Sequence, residues 1–565
     1  MALAVLVGSF AVGTAWCLLN LITLCTDIAY FGRFSFEPMA LSGATLGWAS
    51  VGIPVVGCLI IGLMARYGSE KIRGHGIPEA IEAILIGKSR ISPKVAVLKP
   101  LSSAISIGTG GPFGAEGPII MTGGAVGSLV AQMIHLSSTE RKALLVAGAA
   151  AGMTAIFGTP IAAVLLAVEL LLFEWKPRSF LPVAVAAAVA AAERTLLLDA
   201  GPLFPYVGAL NATLPAVGSW ALLGLLAGLG SGLLTAMVYG TEDAFQKLPI
   251  HWMWWPMLGG LVVGLGGLIE PAALGVGYDN IRHLLAGDLA WRAVILLLAV
   301  KAVIWAVALG SGTSGGVLAP LLIFGGCLGA LVGQFLPAAP AGFWPLLGMA
   351  AMMGGTMRAP LTATLFAVEL TGDFSAALPL LVACGIAHAT TVLLLKRSIL
   401  TEKIARRGLH ITREYQADPF ELAWVKEVMV RDVDTLPGDW TAAQTIDFFT
   451  SAERRHKSYP VIDADQMLLG MVSRADILAW LAEGEEMDRR QRLADLVSSN
   501  VVAGQADELV GTLADRMAQS GAGRVPVVDR KGRLIGLVAR KDLLVARAVR
   551  QAEEQDYAVH LRLGR

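Results

Sequence analysis

Gly110-Gly111-Pro112-Phe113-Gly114-Ala115-Glu116-Gly117-Pro118 is the stretch on which the fold turns. It sets one carboxylate, Glu116, in a glycine- and proline-rich turn with long apolar runs on both sides. The run that follows, Ile119 to Gln132, reads as a membrane-length helix whose N-terminus is that turn. A helix start presents free backbone N–H groups and a partial positive charge, which suits an anion. An acid at such a place inside a bilayer is costly to bury, which points to function. Taken alone, the residue also reads as an N-terminal cap at loop level.

The rest of the chain agrees with a membrane setting. Of 565 residues, 55% are hydrophobic and 16% charged, with a mean hydropathy of +0.64. Those values place the chain among polytopic membrane proteins. The 44 basic and 44 acidic residues cancel, so nothing suggests a nucleic-acid partner. Residues 1–395 are mostly apolar runs, and residues 396–565 are dense in charge. A membrane domain followed by a soluble one is the expected organisation. Residues 1–30 carry no basic leader and no small-residue cleavage site, so they read as a first spanning helix. Cys17, Cys25, Cys58, Cys327 and Cys384 show no metal or disulfide spacing. Lys396, Arg397, Lys403, Arg406 and Arg407 follow the last apolar segment, which puts the C-terminal side in the cytoplasm and the protein in the cell (inner) membrane.

Many apolar stretches are shorter than the roughly 20 residues that a spanning helix needs, and glycine or proline interrupts them. Such segments fit half-helices that meet near the bilayer midplane. The sequence also repeats itself. Gly148, Ala150, Ala151, Met153, Pro160, Ala163, Leu165, Ala167, Val168, Glu169 and Leu170 each recur 200 positions later. Two halves, about 1–200 and 201–410, follow. Glu169 and Glu369 fall in the same register and read as paired structural acids, satisfied by backbone N–H groups of neighbouring half-helices.

Three glycine-rich stretches line up: Gly74-His75-Gly76-Ile77-Pro78-Glu79, Gly114-Ala115-Glu116-Gly117-Pro118 and Gly315-Gly316-Val317-Leu318-Ala319-Pro320. Each opens or precedes an apolar segment, so each presents helix-start N–H groups, and convergence of several makes an anion site without a cationic ligand. In order and context the three resemble the signatures of the CLC family of chloride channels and proton-coupled chloride antiporters, over residues 1–410. The resemblance implies that Glu116 is the gating glutamate, a carboxylate that competes with the anion for the same N–H groups. It also implies anion contacts at His75, Gly76, Gly114, Gly117, Val317, Leu318 and Leu400, with backbone N–H groups near Val317 and Leu318 at a central site and those near Gly117 at an outer one. Lys99 matches a basic position near the pore.

The departures from the family pattern are specific. Its serine is His75 here, its cation before the gating acid is Ala115, its motif phenylalanine is Leu318, and its pore tyrosine is Leu400. The inner proton glutamate of family antiporters, directly after the position of Glu169, is Leu170. His75 either donates an N–H to the anion or fills the space of the serine and bonds a backbone carbonyl.

Residues 425–548 hold a second repeat, at an offset of 66: Tyr459-Pro460-Val461-Ile462-Asp463 against Val525-Pro526-Val527-Val528-Asp529, and Gly470 to Ile477 against Gly536 to Leu543. Each unit reads as helix, strand, strand, helix. This is similar to a tandem pair of CBS domains, over 425–484 and 491–548, with a charged tail at 549–565. The resemblance implies either an adenine nucleotide held through Ser473, Asp476 and Asp542 or a regulatory module without a ligand.

The expected architecture is thus an α-helical polytopic membrane protein with inverted-repeat halves and broken helices, followed by a small α/β CBS module. The expected function is passage of chloride or a similar monovalent anion through a glutamate-gated pore. A passive voltage- or pH-gated channel is the leading version and a proton-coupled chloride or fluoride antiporter the alternative. The resemblance implies a homodimer in membrane lipid and no required cofactor. A CBS-regulated cation channel fits poorly, because the glycine motifs present helix-start N–H groups and hold only two acids, Glu79 and Glu116. No nucleophile–base pair or metal cluster suggests an enzyme.

Overall fold

The computed structural model describes residues 1–39, 41, 47–85, 87–173, 175–198, 201–208, 213–406, 424–451, 455–483, 488–497 and 501–545. The 549–565 tail and Arg407 lie outside these residues. Two compact units result, Met1–Tyr415 and Gln416–Arg565.

Among the described residues, the membrane unit holds two runs of eight α-helices and one more. The first run is α1 (Ala2–Thr26), α2 (Gly52–Tyr67), α3 (Ile77–Leu85), α4 (Pro93–Gly108), α5 (Glu116–Met133), α6 (Ser138–Phe157), α7 (Pro160–Leu166) and α8 (Pro177–Leu197). The second is α9 (Leu214–Gln246), α10 (Trp255–Ile269), α11 (Tyr278–Ala286), α12 (Trp291–Gly310), α13 (Leu318–Val332), α14 (Phe343–Met357), α15 (Pro360–Thr371) and α16 (Ala377–Leu394). α17 (Ile399–Arg406) follows. Among the described residues, eight helices are long and apolar enough to cross a membrane. α3, α7, α11 and α15 are much shorter than a spanning helix.

The two runs correspond helix by helix, and the contacts between them are reciprocal. Gly114 N–H donates to the Gly316 carbonyl (3.2 Å) and Gly316 N–H to the Gly114 carbonyl (2.8 Å). Glu369 accepts the N–H groups of Ile161 (2.9 Å) and Ala162 (2.8 Å) at the start of α7. Glu169 accepts those of Leu361 (3.4 Å) and Thr362 (2.9 Å) at the start of α15. Each half therefore caps a helix of the other. Proline at the first position of α7 and α15 leaves the next two N–H groups as the orphans that need an acceptor.

Small residues set the spacing. A Cβ on Gly148 would stand 2.1 Å from the Gly123 carbonyl, and one on Gly348 would stand 2.1 Å from that of Gly325. The α5–α6 and α13–α14 seams are thus backbone against backbone, the packing on which helix association in lipid depends.

Among the described residues, the second unit holds two three-stranded sheets. β1 (Leu436–Pro437), β2 (Ser458–Ile462) and β3 (Leu468–Ser473) form the first, in the order β1-β2-β3. β4 (Gly504–Gln505), β5 (Arg524–Val528) and β6 (Leu534–Ala539) repeat it in the same order. In each sheet the first pair is parallel and the second antiparallel. Alternation buries Tyr459, Val461 and Val472 in one core, and Val525, Val527 and Val538 in the other.

Candidate functional site

The three glycine loops meet at one place. Gly74 N–H donates to the Thr313 carbonyl (3.1 Å), and the Gly114–Gly316 pair closes the other side. Gly74 and Gly76 have φ of +85° and +88°, a backbone that side-chain-bearing residues avoid. Close approach has the same requirement: a Cβ on Gly117 would lie 1.8 Å from the His75 carbonyl oxygen.

Glu116 is fully buried at the first position of α5, and its side chain leaves its own helix for another. Its Oε1 accepts the Ala319 N–H at 2.9 Å. Its Oε2 has no hydrogen-bond partner among the described residues. A Cβ on Gly114 or Gly316 would collide with Oε2, so these two glycines make the space in which the carboxylate sits. An acid of the first half thus occupies the electropositive start of α13 in the second. The sequence reading named backbone N–H groups near Val317 and Leu318 for a central anion site, and the group that meets Glu116 is their immediate neighbour, the Ala319 N–H. Leu318 is the first residue of α13, and the side chain reaching over from α5 meets the N–H of the next one, Ala319. Leu318 occupies the place in the second repeat that Glu116 holds in the first, so one of the two helix starts has an acid and the other an apolar side chain.

Lys99 is fully buried in α4, and its bonds shape the first loop. Its Nζ donates to the carbonyls of Ile72 (2.8 Å) and Gly74 (2.7 Å) and to Ser314 Oγ (3.1 Å). Lys301, a residue that sequence reading passed over, does the same in α12, donating to the carbonyls of Ala273 (2.9 Å) and Gly275 (3.0 Å). The signal was present as a Gly-x-Gly at 275–277 that repeats Gly74–Gly76 at an offset of 201, with Lys301 202 positions after Lys99.

His75 is buried, and it lines a cavity of about 460 Å³ together with Arg73, Gly74, Tyr239, Trp255 and Lys403. Its Nδ1 has no hydrogen-bond partner among the described residues, so that nitrogen makes no bond to a backbone carbonyl. Lys403 of α17 pairs with Glu79 (2.7 Å) and also donates to the Arg73 carbonyl (3.3 Å). The second oxygen of Glu79 accepts the Gly76 N–H (3.0 Å). Lys403 was read from sequence as one of a basic cluster that marks the cytoplasmic side; in the structure its contacts also hold the His75 loop. Leu400 is fully buried in the same helix. The tyrosine hydroxyl at that helix start comes from elsewhere, Tyr239 of α9, which donates to the Ile399 carbonyl. Leu170 is fully buried among apolar neighbours.

In the second unit, Ser473 N–H and Oγ both donate to Asp476 Oδ2 (2.7 Å each), and Ala539 N–H donates to Asp542 Oδ2 (2.8 Å). These residues close the turn between strand and helix. A cavity of about 460 Å³ in this unit is lined instead by Thr435, Gly438, Asp439, Asp463 and Arg492, among others. The Ser-x-x-Asp spacing of Ser473 and Asp476 at a helix start satisfies its own donors, and Asp542 takes the Ala539 N–H in the matching turn. Among the described residues there is no cluster that could hold a metal ion.

Comparison with known proteins places this geometry. The sequence model of the family described as voltage gated chloride channel matches residues 57–392. That of the CBS domain matches residues 425–483 and 493–549. A ClcB-like protein of Ralstonia nicotianae is 30% identical over 385 residues, covering 65% of this chain and 88% of the relative. The H(+)/Cl(-) exchange transporter ClcA of Klebsiella pneumoniae is 30% identical over 341 residues, covering 57% of this chain and 71% of the relative. The crystal structure of a slow cyanobacterial Cl-/H+ antiporter aligns with a TM-score of 0.65 at 21% identity, over 72% of this chain and 97% of that one.

Proposed function

The chain belongs to the voltage-gated chloride channel family, and on that premise we propose that it exchanges a monovalent anion, chloride first, for protons, with Glu116 as the movable acid. The observation that carries the reading is the Glu116 carboxylate seated on the Ala319 N–H at the start of α13. An ionised carboxylate there holds the place a chloride takes. Arrival of an anion and protonation of the acid both release it: the first competes for the same donor, and the second removes the charge that the helix start favours. One acid then answers to both ions, which is the coupling an exchanger needs. The name of the Klebsiella pneumoniae relative, an H(+)/Cl(-) exchange transporter, favours exchange over the passive channel that the missing inner glutamate suggests.

A passive channel is the second reading. Leu170 favours it, since an apolar side chain stands where family antiporters hold the inner acid, and the Ralstonia nicotianae relative is named a chloride channel protein. The two separate cleanly in liposomes under imposed chloride and proton gradients. Exchange gives a reversal potential that moves with pH and uphill proton movement driven by chloride. A potential set by the chloride gradient alone establishes the channel. Flux of sodium or magnesium with no halide, nitrate or fluoride overturns both.

On the same premise we propose that the protein works in the cell (inner) membrane as a homodimer, with one pathway per subunit and the second unit cytoplasmic and regulatory. Titration of the full-length protein with ATP, ADP and AMP tests adenine nucleotide as its ligand, and heat at the level of buffer dilution for all three removes it.

A further inference from the structure

Tyr278 opens α11, directly after the Gly275–Gly277 loop that Lys301 staples. A Cβ on Gly277 would stand 2.8 Å from Ile323 Cδ1, so this loop lies against α13, the helix whose start receives Glu116. The Tyr278 ring packs edge-on against Phe204, with centroids 5.7 Å apart. Its hydroxyl is buried and has no hydrogen-bond partner among the described residues. Glu116 Oε2 is in the same condition. The two side chains are within electrostatic reach of each other, and Arg282 of α11 is the other charge that acts on the tyrosine. Lys301 Nζ is 3.2 Å from the Cβ position of Gly277, and its two bonds go to carbonyls of the loop.

A buried O–H donor and a buried carboxylate oxygen, both unpartnered and both beside α13, are complementary. The sequence sharpens the point, because the positions that match the family's two pore hydroxyls are His75 and Leu400.

We propose that Tyr278 is a positioning residue for the gate: when Glu116 leaves the Ala319 N–H, its carboxylate docks on the Tyr278 hydroxyl, which holds it off the α13 start while an anion passes. The inference rests on the reading of Glu116 as the movable acid. The bond favours the ionised, displaced carboxylate. Removing the hydroxyl therefore returns an ionised Glu116 to the α13 start, where it competes with the anion, and leaves a protonated Glu116 unaffected.

Tyr278→Phe keeps the ring against Phe204 and removes the donor. Chloride flux in liposomes is measured for wild type, Y278F, E116A and E116A/Y278F. One hydrogen bond to a charged acceptor is worth about a tenfold change in equilibrium. Y278F is expected to raise the half-saturating chloride concentration about tenfold at alkaline pH and to converge on wild type toward about pH 5, where carboxylates begin to protonate. E116A and E116A/Y278F are expected to be identical. Y278F that matches wild type at every pH overturns the proposal, as does an equal loss of affinity in the E116A background, which would mean that the hydroxyl acts on the anion or on packing. E116A that keeps the pH dependence of wild type marks failure of the Glu116 reading itself. A silent Y278F alongside a pH-insensitive E116A marks failure of Tyr278 alone.

Discussion

Replacing Glu116 by glutamine is expected to tighten chloride binding about tenfold and to flatten the pH dependence of flux. The magnitude follows from one contact. Glu116 Oε1 accepts the Ala319 N–H at 2.9 Å as a charged acceptor inside a fully buried pocket. Hydrogen bonds to charged groups are worth about 1.5–3 kcal/mol net and neutral ones about 0.5–1.5. An anion that takes this place in wild type first displaces the stronger bond, and in E116Q the weaker one. The difference is about 1–1.5 kcal/mol, and about 1.4 kcal/mol is a factor of ten in Kd. E116A leaves no competitor and is expected to bind chloride more tightly still. Calorimetric titration of chloride into detergent-purified wild type, E116Q and E116A at constant ionic strength and about pH 7, where free carboxylates are ionised, gives the three affinities. Flux from about pH 5 to 8 then reports the pH limb of each. Equal affinities in all three proteins, or wild-type pH dependence retained in E116Q, would refute the idea that carboxylate and anion share one seat.

Glu169→Gln and Glu369→Gln are each expected to lower stability by about 1–3 kcal/mol, since each leaves helix-start N–H groups with a poorer acceptor. The reciprocal geometry predicts nearly equal losses, so a melting midpoint in detergent that moves for one variant and stays put for the other speaks against the exchange of caps. His75→Ser is expected to change the relative flux of chloride, nitrate and fluoride or the pH profile, because the imidazole lines the cavity with an unpartnered nitrogen; identical selectivity and pH profile would reduce it to packing. In the second unit, N–H bonds from Arg533 and Lys531 hold the Asp529 carboxyl below its ordinary range. Its folded state therefore binds the proton less readily than the unfolded one. The turn is fully stabilised above the ordinary range and loses that stabilisation as pH falls through the depressed value. Asp529→Asn is expected to remove this acid limb, read as the pepsin sensitivity of the tail of the full-length protein below about pH 4.

Glycine and proline carry most of what was readable. The three motifs stand out in the sequence because only glycine accepts the positive φ and the close backbone approaches that the loops need, and the acid among them is conspicuous in an apolar context. The identity of the donors was not readable. Which N–H meets Glu116 depends on where α13 begins, and sequence pattern fixes a helix start only to within a residue or two. Lys301 escaped notice because the offset between halves drifts. α3 and α11 begin 201 positions apart, α5 and α13 202, and α7 and α15 200. A single shift of 200 finds the last pair and misses the first two. Lys403 illustrates another limit. A basic cluster after a spanning segment marks topology, yet helix periodicity turned one member inward to Glu79 while Arg406 pairs with Asp243.

The exchanged caps bear on how such a chain arose. A polypeptide of one half would carry both an acid and a bare helix start, complementary to those of a second copy, and neither copy could satisfy its own. Two copies would therefore clasp as equals before any gene fusion. Joining them end to end would then free each copy to diverge, and the halves now differ at the motif, with a glutamate at the start of α5 and a leucine at the start of α13.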